Sequence, residues 1–136
     1  MNTEQTPLYE LIGGENKILE LVNEFYRLMD SLEEAKVIRD MHGSDLNLIK
    51  EKLFDFLSGW LGGPQLFMQK YGHPKLRARH LPFAIGLAER DQWILCMFKA
   101  MENVGIKEEP TATIMRSALF RLADHMRNKN TNEDAP

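Results

Sequence analysis

The chain has 136 residues, of which 43% are hydrophobic, enough for one domain with a sizeable core and too many for a disordered or fibrous polymer. A net charge of −3 gives no electrostatic reason to expect nucleic acid or a charged membrane surface as partner. The single cysteine, Cys96, rules out an intrachain disulfide and points to a reducing cytoplasm.

A short helix is expected over residues 8–12, broken by Gly13-Gly14. Residues 15–30 carry Ile18, Leu19, Val22, Phe25, Tyr26 and Met29 on one helical stripe. A small helix or turn covers 33–40. Ser44 is a suitable N-cap for a helix over 45–61, with Ile49, Leu53, Phe56, Leu57 and Trp60 facing inward. Gly62-Gly63-Pro64 stops it, because proline cannot continue a helix.

Residues 65–86 hold Gly72, Pro74, Pro82 and Gly86 and read as loops with one or two short helices. An irregular stretch of that length in a helical domain is usually functional. A helix over 87–104 turns Trp93, Met97, Ala100, Met101 and Val104 inward and stops at Gly105. The last helix begins at Pro110, a first-turn proline, and reaches Asn128 with Ile114, Ala118, Leu119, Leu122 and Met126 inward. The fold class is therefore all-α, with one domain over 1–128 and a polar, disordered tail over 129–136. No apolar run approaches the ~20 residues of a membrane span. The polar start, Met1 to Gln5, is not a signal peptide.

The chemistry rests on few residues. None of the four histidines is spaced as a zinc pair, and one cysteine cannot build a structural zinc site. A haem needs only one good protein ligand. His80 sits behind Lys75, Arg77 and Arg79 and ahead of Pro82. Those bases are either a solvated face or partners for haem propionates, which suit guanidinium geometry. Tyr26 is either a core tyrosine bonded to a carbonyl or a hydrogen-bond donor to a diatomic ligand. Trp93, a donor only, has the same two readings. His42, between Met41 and Gly43, reads by itself as a turn histidine. Cys96, among apolar neighbours, reads as a small core residue. Acid–base catalysis, a nucleophile elbow and a phosphate loop find no support.

Taken together, Gly13-Gly14, Phe25-Tyr26, Gly62-Gly63-Pro64, the run from Gly72-His73-Pro74 through Leu76-Arg77-x-Arg79-His80 to Pro82-Phe83, and Glu89-Arg90-Asp91-x-Trp93-x-x-Cys96-Met97 resemble the group II truncated haemoglobins. The resemblance covers about residues 8–104. It implies a two-over-two helical sandwich around a b-type haem. His80 takes the place of the proximal iron ligand. Tyr26 and Trp93 are the distal donors, and Ile49 and Leu53 lie over the haem. Phe56 is the aromatic packed near it. Beside that ligand, the bases Arg77 and Arg79 and the nearby His73 are read as propionate contacts. His42 falls where the family carries an aromatic or a histidine. Ile49 is apolar where other globins place a polar distal residue, so ligand stabilisation falls to Tyr26, Trp93 and His42.

The implied ligands are O2, CO and NO, with peroxide as a further substrate. Several donors around bound O2 would slow its release, which fits NO dioxygenase-like or peroxidase-like activity better than bulk O2 delivery. Turnover of that kind requires a reductase. A sensor or storage protein, or an electron-transfer haem protein with an internal sixth ligand, are the alternatives. No output domain is fused to this chain, which counts against a one-component sensor.

Overall fold

A computed structural model describes residues 6–129, and every regular element within them is helical. In chain order these are α1 (Leu8–Ile12), α2 (Gly14–Ser31), α3 (Lys36–Asp40), α4 (Asn47–Trp60), α5 (Leu66–Tyr71), α6 (Leu76–His80), α7 (Leu87–Asn103) and α8 (Thr111–His125). A 3-10 turn, Glu33–Ala35, leads into α3. α2 packs on α4, α7 packs on α8, and the broadest contact joins α2 to α7. Two helix pairs stacked in this way form the two-over-two sandwich. No described helix is long and apolar enough to cross a membrane.

Ile18, Leu21, Val22, Phe25, Leu28 and Met29 of α2 are buried, on the i, i+3, i+4, i+7 spacing of an apolar face. They meet Leu57 and Leu61 at the end of α4, Cys96, Met97, Ala100 and Met101 of α7, and Met115 and Leu119 of α8. Cys96 is sealed in this core, and burial pushes its thiol up to about 11. It is the inert core residue expected of it.

The end of α4 is built around its two glycines. Gly62 has φ +96°, a backbone that favours glycine. A Cβ on Gly63 would fall inside the Tyr9 ring. The Tyr9 amide donates to the Leu61 carbonyl at 2.9 Å, so α1 is seated on the end of α4.

Several expectations are corrected. Leu19 is 49% exposed, since the face containing Ile18 and Val22 is completed by Leu21 and not by its other neighbour. Ile114 is 52% exposed: α8 turns Ala112, Met115, Leu119 and Ala123 inward, which leaves Ala118 and Leu122 half-buried at the edge. Met126 is buried as expected, and Ile49, Leu53, Phe56, Trp60, Trp93 and Val104 are only partly covered. α4 starts at Asn47, and Ser44 does not cap it. Asp45 takes the Asn47 amide at 2.9 Å in a local turn instead. Pro110 stands just before the first helical residue of α8. The tail expected over 129–136 lies, beyond Lys129, outside the described residues.

α2 is also tied to α7 through a polar contact. Glu24 accepts from Asn103 at 2.7 Å and from Arg27 at 2.7 and 2.8 Å. These bonds, Arg27 first, hold its carboxyl down to about 2. A depressed carboxyl contributes stability that is complete above its unfolded value near 4.5 and is lost as pH falls through about 2. Arg27 is 61% exposed, so solvent screening keeps the contribution to about 1 kcal/mol or less. Glu24→Gln should therefore lower the denaturation midpoint slightly at pH 7. The gap from wild type should close near pH 2, which paired thermal melts would reveal.

Candidate functional site

Three of the residues singled out in the sequence lie in one aromatic cluster. Tyr26 is 4% exposed on α2, with its ring edge-on to Phe25 at 4.8 Å. Phe25 in turn meets Trp93 of α7 at 5.3 Å. His42 approaches Tyr26 from the turn after α3, with ring centroids 5.9 Å apart. Burial alone raises the Tyr26 phenol above its ordinary value, with no hydrogen bond contributing. Among the described residues its hydroxyl has no partner.

The turn bearing His42 is held by Arg39, which pairs with Asp30 at 2.8 Å and donates to the Gly43 carbonyl at 3.0 Å. His42 Nδ1 lies 2.7 Å from the Ile38 carbonyl. A carbonyl can only accept, so Nδ1 carries the proton. The neutral ring then presents Nε2 as a lone pair and has no second N–H to offer.

His80 is the last residue of α6 and half-buried. Its Nδ1 stands 2.7 Å from the Leu76 carbonyl, so its Nε2 is likewise a free lone pair. The surrounding bases do not act as one cluster. Arg77 donates to the Arg127 carbonyl at 3.0 Å, at the end of α8. Arg79 donates to the Pro74 carbonyl and lies over the Phe67 ring at 5.4 Å, on the α5 side. Lys75 and His73 are exposed. Each arginine retains N–H groups beyond these bonds.

Ile49, Leu53 and Phe56 fall on one face of α4 at i, i+4, i+7, half-buried, and Phe56 stacks on Trp60 at 6.1 Å. A cleft of 390 Å³ opens between α4, α6 and α8, lined by Phe56, Trp60, Leu76, Arg77, Leu122 and Met126 among others. His80, Tyr26 and Trp93 do not line it. Among the described residues no three His, Cys, Asp or Glu side chains gather as a metal site.

The structure also accounts for the charged part of the motif around Trp93. Glu89 accepts from the Gly86 amide at 2.8 Å and caps α7. Arg90 bridges Asp91 and Asp124, joining α7 to α8. Gln92 accepts from the Ile38 amide at 3.2 Å and ties α7 to α3. These bonds fix the first turn of the helix that carries Trp93. Asn128, which the sequence places at the end of the last helix, bonds the segment after His80. No local signal distinguishes it from any other polar residue near a helix end.

A helical sandwich of two pairs, with a short histidine-bearing helix outside them, is the architecture of the truncated globins. Residues 7–128 match the family model described as bacterial-like globin. A group 2 truncated haemoglobin, YjbI of Bacillus subtilis (strain 168), is 41% identical over 130 residues, covering 93% of this chain and 92% of the relative. The group II 2-on-2 haemoglobin of Agrobacterium tumefaciens superposes with a TM-score of 0.87 at 44% identity, covering 94% of this chain and 98% of that one. The cold-adapted truncated haemoglobin of Pseudoalteromonas haloplanktis TAC125 gives 0.88 at 43%, covering 91% and 99%. The chain belongs to the bacterial-like globin family. Its cofactor is haem, and its general function is the binding of diatomic ligands at haem iron.

Proposed function

We propose that His80 is the single protein ligand to the iron, and that Tyr26 and Trp93 retain a diatomic ligand on the opposite side. The chain's own residues fit a haem in three respects. His80 has a free Nε2. α4 offers a half-covered apolar face at Ile49, Leu53 and Phe56. Tyr26, on a largely buried ring, keeps a hydroxyl free of protein partners among the described residues. Haem, when bound, supplies an iron that one imidazole leaves with an open coordination position.

The Leu76 carbonyl fixes the His80 tautomer and ring orientation. Arg77 and Arg79, through their remaining N–H groups, and His73 are the candidates for the propionates. Tyr26 and Trp93 hold donors in an apolar setting where they need no reorganisation. Retention by such donors favours O2/NO or peroxide chemistry over bulk O2 delivery. Turnover would draw electrons from a separate reductase. The observation that carries this reading is the unpartnered Tyr26 hydroxyl.

One further observation favours a second reading. His42 and His80 are held alike, each with Nδ1 at 2.7 Å from the carbonyl four residues back and Nε2 free. His42 therefore suits an internal sixth ligand, which would lower apparent affinity by the fraction of sites it closes. Visible spectra of the ferric, ferrous and CO forms separate the two readings. The ligand-binding reading expects a five-coordinate ferrous form that takes up CO, with any low-spin ferric fraction lost in His42→Ala or Tyr26→Phe. A six-coordinate ferrous form that CO does not displace would replace it with electron transfer.

A further inference from the structure

The segment bearing His80 has little of its own to hold it. α6 is five residues long, buries none of them and has no side-chain cap. An isolated helix of that length is far below the length at which helices hold themselves in water. It starts from Lys75 at φ +47°, a left-handed conformation unfavourable for a residue with a side chain. After His80 the chain runs through Leu81 to Gly86 without regular structure until α7 begins.

The anchor comes from the far end of the chain. Asn128 Nδ2 donates to the His80 carbonyl at 3.2 Å and to the Phe83 carbonyl at 2.7 Å. Its Oδ1 accepts from the Ile85 amide at 2.9 Å. The Asn128 and Lys129 amides both donate to the Ile85 carbonyl, at 2.9 and 3.0 Å. Arg77 closes the set from the other side by donating to the Arg127 carbonyl. One carboxamide thus bonds three backbone groups across 43 to 48 residues of chain, and one of those groups belongs to His80 itself.

We propose that Asn128 is a positioning residue for the proximal histidine. It restrains the His80 carbonyl and the turn beyond it, while the Leu76 carbonyl restrains the ring. Together they set the direction of Nε2. Only an amide side chain has both the acceptor for Ile85 and the two N–H donors for His80 and Phe83. Partners one step removed from a metal ligand typically change metal affinity 10–100-fold when lost. The proposal rests on His80 being the iron ligand.

Resonance Raman of the ferrous haem protein reads that geometry directly through the iron–imidazole stretching band. Asn128→Ala and Asn128→Asp should both shift and broaden the band and speed haem loss to an acceptor globin about ten-fold or more. The aspartate is nearly isosteric, but it turns a carboxylate toward two carbonyls. Ala118→Gly weakens α8 without touching these bonds, so it should lower the melting temperature and leave the band in place. An unchanged band and unchanged haem loss in the Asn128 variants would overturn the proposal. So would an equal shift in Ala118→Gly. If wild type itself lacks an iron–imidazole band, the His80 assignment fails instead, which is a separate result.

Discussion

His80→Ala should lose most of its haem, with a Soret-to-protein absorbance ratio far below that of wild type. His80 is the one histidine on the short helix outside the sandwich, and Nδ1 is already committed to the Leu76 carbonyl. Removing the ligand should therefore cost more than the 10–100-fold typical of losing a partner behind a ligand. α6 contributes no buried residue, so the core of α2, α4, α7 and α8 should survive the substitution. Loss of haem can then be read as loss of coordination. His80→Gly should recover a haem spectrum when free imidazole is added. His73→Ala, at an exposed position, should keep the iron ligated as in wild type. A His80→Ala protein with normal haem content and spectra would reject the assignment.

Faster O2 release is the expected result of Tyr26→Phe and of Trp93→Phe. A hydrogen bond to a charged acceptor is worth roughly 1.5–3 kcal/mol, and each 1.4 kcal/mol is ten-fold, so either loss should raise the off-rate about ten-fold or more. Tyr26→Phe keeps the ring against Phe25 and removes only the hydroxyl. Burial keeps the phenol protonated beyond the ordinary tyrosine range. The wild-type off-rate should therefore stay flat as pH rises toward about 10, where an exposed tyrosine would begin to ionise. Stopped-flow release rates across pH test both points. Unchanged rates in both variants would discard the scheme, and a change in only one would show that a single donor suffices.

The sequence made the helices legible because apolar spacing repeats every 3.6 residues over long stretches, as along α2 and α7. It was less informative about which of two neighbouring residues turns inward. Leu19 and Ile114 are as apolar as the residues beside them, and the choice depends on which partner helix arrives and from where. Ser44 is an acceptable cap by residue type, yet α4 starts without a side-chain cap and Asp45 takes the Asn47 amide in a local turn. His80, Tyr26 and Trp93 stood out through local motifs that persist however the chain packs.

What remained hidden was of two kinds. The His42 donor was expected from the residue type, whereas its role depends on a single bond to the Ile38 carbonyl that sets the tautomer. Asn128 works entirely through backbone groups more than forty residues away, and backbone groups carry no side-chain signature. For the same reason the basic run Lys75, Arg77 and Arg79 looked like one patch. The helix sends Arg77 toward the end of α8 and Arg79 toward α5.

The absence of any buried residue in α6 also divides the molecule by cooperativity. Local openings draw on elements with few buried apolar contacts, at free energies below that of global unfolding. Residues 72–86 meet that description, and the interlocked face of α2 and α7 does not. Amide protons of the proximal stretch should thus exchange through a sub-global opening while those of Phe25 or Met101 wait for complete unfolding. The folding unit of this globin and the stretch proposed to hold its cofactor are separable, joined where the last helix ends.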